Sequence, residues 1–218
     1  MPDQPQLLAR GPWTPDALQV AWRSDPYRPD AAAEAEADRL LDALRRRGSP
    51  SYDGLAARLV SFEAGDGRLR LELQPIRWAL RLLDEDAGGS ISALCVVRRA
   101  DGAWLAGRRA EWVASWAGRW ALGAGGAVEV DEHPAQTLAR ELEEEWAVQA
   151  QRITVEALIR LASGMVMVIG HAWLPPGVSV TPDHEHDAYA WWPAEPGRWP
   201  AEADPGLRAI GSMLEAAG

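Results

Sequence analysis

Residues 126–148 read Gly-Ala-Val-Glu-Val-Asp-Glu-His-Pro-Ala-Gln-Thr-Leu-Ala-Arg-Glu-Leu-Glu-Glu-Glu-Trp-Ala-Val. Of the eight charged residues in this stretch seven are acidic (Glu129, Asp131, Glu132, Glu141, Glu143, Glu144, Glu145) and one, Arg140, is basic. Such crowding is costly unless a cation shares the site. Pro134 suits the first turn of a helix, where its missing N–H would have had no partner. Leu138, Leu142 and Trp146 then recur every fourth residue as a buried stripe, so the pattern predicts a helix starting near Pro134. On that helix Glu141, Glu144 and Glu145 stand at i, i+3 and i+4 and line one side, and Arg140 can reach Glu144 at i+4. Three carboxylates on one face form a hard, oxygen-rich site. Hard oxygen ligands select Mg²⁺ or Mn²⁺, and Mg²⁺ commonly bridges a few carboxylates to substrate phosphates.

The same residues carry a resemblance. Gly126, then five residues, Glu132, then seven residues, and then Arg140-Glu141-Leu142-Glu143-Glu144-Glu145-Trp146-Ala147-Val148 resemble the Nudix box. Eight of its nine defined positions match, and the departure is Ala147 in place of the second glycine. If that position needs left-handed backbone, alanine costs roughly 1–2 kcal/mol there but removes no reactive group. A solvated acidic helix with internal ion pairs would explain the charges, though not the spacing of Gly126 and Glu132.

The resemblance implies an α/β fold, with a mixed sheet between helices, and a pyrophosphohydrolase dependent on Mg²⁺ or Mn²⁺. It implies Glu141, Glu144 and Glu145 as metal ligands, with Glu144 and Glu145 foremost and Glu129 an outside candidate. Glu132 and Arg140 are expected to form an ion pair holding the loop against the helix. Gly126, and Gly125 beside it, would let backbone approach metal or phosphate. The general base would be a box carboxylate, most naturally Glu144, or Glu185 in a late loop that is similar to that of many family members; a surface glutamate screening His184 and His186 is the plainer reading of Glu185. Arg108 and Arg109 could grip phosphate through a bidentate fork or pair with local acids. Trp116 and Trp120 lead the candidates for an aromatic contact with a nucleobase. The substrate class implied is a nucleoside diphosphate linked to another group, such as a UDP- or ADP-sugar. Noncanonical nucleoside triphosphates, or a catalytically silent nucleotide-sugar sensor, are the alternatives.

Composition bounds the rest. The chain has 218 residues, 47% hydrophobic and 25% charged, ordinary globular usage with room for one sizeable domain and a smaller appended one. All 22 basic residues are arginine, and the net charge of −10 opposes nonspecific binding to nucleic acid or an anionic membrane. No run of 18 apolar residues suggests a membrane span. Cys95 is the single cysteine, so no intrachain disulfide can form, and the N-terminus lacks the pattern of a signal peptide. A cytoplasmic location is the default expectation, and a homodimer stays open.

Outward from the box, residues 1–30 read as a proline-rich extended arm laid on the domain. Asp30 caps a helix over Ala31–Arg47. Ala56–Phe62 and Arg68–Leu73 flank Gly65-Asp66-Gly67 as a hairpin, and a short helix over Pro75–Leu83 follows. The loop 84–89 is the expected boundary between a small α+β extension (1–87) and the catalytic domain (88–218). Residues 52–54, the hairpin and Leu71–Trp78 thinly resemble the N-terminal region of Nudix proteins that act on UDP-sugars. Strands are expected at Ile91–Val97, Ala103–Arg108, Ile153–Leu161, Met165–Trp173 and Ala188–Trp192, with a closing amphipathic helix at Pro205–Ala217. His184 and His186 form a His-x-His pair beside an acid, too few ligands for a closed transition-metal site. His133 and His171 read as structural.

Overall fold

The structure is a computed structural model and describes residues 5–49, 52–83, 89–113 and 115–215. Two strands occupy the arm: β1 (Gln6–Trp13) and β2 (Leu18–Trp22). They are followed by α1 (Ala31–Arg46), β3 (Leu55–Gly65), β4 (Arg68–Arg77) and a 3₁₀ turn at Trp78–Leu82. Next come β5 (Ile91–Arg98), β6 (Trp104–Arg109), β7 (Trp120–Leu122), β8 (Ala124–Ala127) and α2 (Pro134–Trp146). The chain closes with β9 (Arg152–Arg160), β10 (Val166–Trp173), β11 (His186–Trp192) and α3 (Pro205–Glu215).

The larger sheet runs β1-β9-β10-β5-β6-β11, with β8 paired to β5 and β7 to β6. It is mixed: β10 lies parallel to β5 and antiparallel to β9. Alternation along β5 explains the layering. Ile91, Ala93, Cys95 and Val97 pack with Leu138, Leu142 and Trp146 of α2, while Leu94 and Val96 pack with Leu207, Ile210 and Leu214 of α3. A sheet whose central strand is apolar on both faces must be covered twice, and the two amphipathic helices do so.

The smaller sheet has the order β2-β4-β3, with β2 parallel to β4, and α1 packs against it through Ala37 and Leu41 on Ala56 and Ile76. Asp30 caps α1 by accepting from the Ala33 N–H at 2.8 Å, as expected. Three expectations change. The arm is two strands in two different sheets: β2, with Leu18, Val20 and Trp22 alternating, lies beside β4, and β1 runs antiparallel to β9 in the larger sheet. The helix expected at Pro75–Leu83 is instead the end of β4, because Pro75 and Ile76 continue the pairing with β3, and then the 3₁₀ turn. Short β7 and β8 arise in what the sequence offers as a glycine loop. Leu69, Leu71 and Leu73 of β4, which precede the boundary expected after residue 87, share a buried cluster with α2 and β5. The Ala57 N–H donates to Val128 O at 2.9 Å. Of the expected boundary loop only Gly89 is among the described residues.

Candidate active site

The site begins with how α2 starts. His133 is its N-cap: ring Nδ1 accepts from the Ala135 N–H at 3.1 Å, and Gln136 Oε1 accepts from the His133 N–H at 3.0 Å. Ring Nε2 lies 2.8 Å from Leu18 O of β2, which ties the acidic helix to the N-terminal sheet. Just before the cap, Glu132 accepts from Arg140 Nε at 2.8 Å, Thr137 Oγ1 at 2.8 Å and the Glu129 N–H at 3.1 Å. Burial pushes the Glu132 carboxyl up, but these bonds outweigh it and leave it below its ordinary value. The structure thus places Arg140 and Glu132 together as a clasp between loop and helix.

Arg140 does more than hold Glu132. Its Nη1 donates to Glu141 Oε1 at 2.7 Å and to Glu144 Oε2 at 3.0 Å, and Nη2 reaches Ala127 O at 3.3 Å. Glu141 and Glu145 are 8% and 7% exposed, very low for carboxylates. Glu145 Oε2 accepts from the Gly125 N–H at 3.3 Å, and Oε1 lies 3.5 Å from Arg109 Nη1. Desolvation raises the Glu145 carboxyl well above its ordinary value; Arg109 opposes this, and Glu141, Asp183 and Glu185 add to it. Glu141 is raised for the same first reason, with Glu144 and Glu132 adding to it against Arg140. At Gly126 a Cβ would overlap the Glu141 carboxylate. The glycine is there for close approach, not for an unusual φ.

Glu141, Glu145, Arg109, Gly125 and Gly126 face one cavity of about 500 Å³. Its polar wall includes Glu141, Glu145, Glu185 and Arg109; its apolar wall includes Trp116, Met165, Met167 and Ile210. Arg109 bridges two of the acids, with Nη2 at 2.7 Å from Glu185 Oε2. The sequence-derived candidates therefore divide. Glu141, Glu145, Glu185, Arg109, Trp116 and Gly126 meet at the cavity. Arg108 does not: neighbouring strand residues face opposite ways, and its Nε pairs with Asp187 at 2.6 Å. Trp120 stands opposite Arg108 in the β6–β7 register, on that same face, and packs against Trp192 at 5.3 Å between ring centres. Glu144 keeps 58% of its side chain exposed and sits at the rim, joined to the site through Arg140.

His184 and His186 do not converge. His184 stacks on Trp112, whereas buried His186 bonds Asp183 Oδ1 through Nδ1 at 2.9 Å and lies against Trp146. Cys95 is fully buried, and burial pushes its thiol up. Among the cavity residues that escaped sequence reasoning are Trp78, Arg81, Ser92 and Met165. No spacing connects them, since they come from the 3₁₀ turn, β5 and the β9–β10 loop.

The donor set suits a hard divalent cation. Glu141 and Glu145 are buried carboxylates that repel each other and are stabilised in the charged form by positive charge nearby. Among the described residues no group of three or more Asp, Glu, His or Cys side chains is already arranged around a metal position. Arg140 and Arg109 hold the oxygens that such an ion would take.

Comparison with known proteins agrees with this geometry. The NUDIX domain family matches residues 90–210. No curated protein matches the chain. Among solved structures, the MutT protein of Methanosarcina mazei is 24% identical over 58% of this chain and 93% of its own, with a TM-score of 0.50. The MutT NUDIX hydrolase of Burkholderia pseudomallei is 22% identical, covering 57% of this chain and 96% of its own, at a TM-score of 0.47. The NUDIX domain of Shewanella oneidensis NrtR, solved with ADP ribose, is 22% identical, covering 58% and 85%, at 0.46. At these identities structural likeness bears on the fold alone. With more than half of the chain inside the family match, and Glu141 and Glu145 of the box at one cavity, the protein belongs to the Nudix family.

Proposed function

We propose that this protein is a pyrophosphohydrolase, dependent on Mg²⁺ or Mn²⁺, that cleaves a nucleoside diphosphate linked to another group. The observation that carries the proposal is the pair of desolvated carboxylates, Glu141 and Glu145, at the wall of a cavity of about 500 Å³. Glu141 and Glu145, with Glu144 reaching in from the rim, would hold the cation. Once bound, it would neutralise charge on the phosphate oxygens and on the departing phosphate.

The chain's own groups do the rest. The Gly125 N–H fixes one oxygen of Glu145, and the bare Cα of Gly126 leaves room for the Glu141 carboxylate. Arg109 orients Glu185 through its 2.7 Å contact. Glu185, in the same cavity, accepts the proton of the water that attacks phosphorus. The P–O bond of the anhydride breaks, and two phosphate products leave. Trp116 and the methionines offer an apolar surface to the base or sugar.

The test is a panel of UDP- and ADP-sugars, dinucleoside polyphosphates and nucleoside triphosphates, assayed for phosphate-ester products with Mg²⁺ and with Mn²⁺. Turnover of nucleoside-diphosphate conjugates above the rest is expected. Preference for triphosphates would move the protein to nucleotide clean-up, and binding without turnover would make it a sensor. Within an active protein, Glu185→Gln should lower kcat by roughly 10²–10⁴ with little change in KM. A kcat within about threefold of the parent would return the base to a box carboxylate.

A further inference from the structure

The cavity is closed on one side by the N-terminal part of the chain. Tyr52, Trp78, Arg81 and Leu82 all line it, although none belongs to the stretch that matches the family. The 3₁₀ turn carrying three of them is firmly seated. The Trp78 N–H donates to Gly54 O at 2.8 Å, and Ala79 and Leu80 are buried against Leu41 of α1 and Ile76 of β4. Arg81 is thus delivered to the cavity by a rigid support.

Charge balance singles Arg81 out. Arg109 is neutralised by Glu145 and Glu185, Arg140 by Glu132, Glu141 and Glu144, and Arg108 by Asp187. Arg81, among the described residues, has no ion pair; its one hydrogen bond is from Nη2 to Ser92 Oγ at 3.1 Å. Its guanidinium carbon lies 5.5 Å from the Trp78 ring centre, loosely over the ring. Arg81 is half-buried in the cavity wall; a guanidinium has five N–H donors, and partly desolvating it with no anion in contact is costly. Burial lowers its pKa to about 10, and the carboxylate that opposes this fall is Glu141, across the cavity.

We propose that Arg81 is the phosphate clamp of this site, gripping non-bridging oxygens of a nucleotide's diphosphate opposite Glu141 and Glu145. The inference rests on the nucleotide reading of this cavity and deepens it: the N-terminal layer supplies part of the binding site. A planar fork matches a phosphate bidentately, and an oxyanion between Arg81 and a cation on Glu141 completes both. A guanidinium keeps its protons and only donates, so Arg81 binds and positions, without a role in proton transfer.

The experiment uses the full chain and the variants Arg81→Ala, Arg81→Lys and Ser92→Ala. Binding of ADP, UDP and the matching nucleosides is measured by calorimetry, beside KM and kcat on whichever panel substrate turns over. A charge-assisted pair is typically worth about 10- to 100-fold in affinity. Arg81→Ala should weaken ADP or UDP by that factor, leave adenosine or uridine unchanged, and raise KM more than it lowers kcat. Arg81→Lys should recover part of the loss, as a point charge does for a fork. Equal nucleotide affinity in Arg81→Ala and the parent overturns the clamp, as does an equal loss for nucleosides, which would mean a damaged cavity. If Ser92→Ala reproduces the whole loss, Arg81 only ties the extension to β5, and the clamp is overturned. A parent that binds ADP or UDP through Arg81 but hydrolyses nothing would support the clamp while sinking the hydrolase reading. Turnover with an unchanged KM in Arg81→Ala would do the reverse.

Discussion

Ala147 shows how a single residue can depart from a family pattern without undoing it. It caps α2 with φ 53° and ψ 36°, in the left-handed region, and its N–H still bonds Glu143 O at 2.9 Å. The next residue, Val148, is buried, so the turn is needed even though its glycine is gone. Ala147→Gly should therefore stabilise the fold by about 1 kcal/mol. An unchanged or lower midpoint in urea would show that the alanine sits there without strain. His171 offers a second residue-scale test. Buried between strands and beside Arg98 and Trp104, it is depressed to about 3, first by desolvation and then by Arg98 and Arg152. Its folded pKa lies below its unfolded one, near 6.5, so the unfolded chain binds the proton first. Stability should fall as pH drops below about 6.5, by up to about 1.4 kcal/mol per unit, until the folded form also titrates. His171→Gln should remove that part of the slope, measured as urea midpoints between pH 7 and 4.5. The same slope in both proteins would place the titration elsewhere.

At the scale of elements, α2 was legible because everything it needs is local: Pro134, the apolar stripe and the charge pattern occupy one stretch. β5 and β10 were legible because they are long and apolar. β7 and β8 were not, since Gly123, Gly125 and Gly126 give no alternation; what makes them strands is pairing with distant β6 and β5. The exchange of helix for strand at Pro75 has the same origin, as β3 continues the pairing that propensity alone would end. Strand parity also explains why adjacent Arg108 and Arg109 part company, a distinction available only once the registers are known. The loop–helix clasp belongs to this scale. Arg140 touches Glu132, Glu141, Glu144 and Ala127 O. Arg140→Ala should cost roughly 2–4 kcal/mol, allowing for its partial exposure, and lower the rate as Glu141 loses its neighbour. Stability within 0.5 kcal/mol of the parent, about the size of an ordinary surface change, would mean the clasp does not hold the loop.

Across the whole molecule, the two sheets share a buried cluster and the cavity draws walls from both. The acidic wall could be read from spacing; the wall formed by Trp78 and Arg81 could not, because only folding brings residue 81 to residue 141. Among the described residues no helix is long and apolar enough to cross a membrane. The central claim is that Glu141 and Glu145 form a cation site whose mutual repulsion the fold tolerates for the sake of the metal. It makes opposite predictions with and without the ion. Without metal, desolvation and the charges of Glu141, Asp183 and Glu185 outweigh the attraction of Arg109 at Glu145, so Glu145→Gln should unfold at a higher temperature than the parent. With Mn²⁺ the parent should gain RT ln(1 + [L]/Kd), about 2.7 kcal/mol at a hundred times Kd, and the variant should gain little. The most direct measurement is thus a Mn²⁺ titration of the unfolding temperature of both proteins. The account predicts that the two curves cross; parallel curves, with equal gains from Mn²⁺, would contradict it.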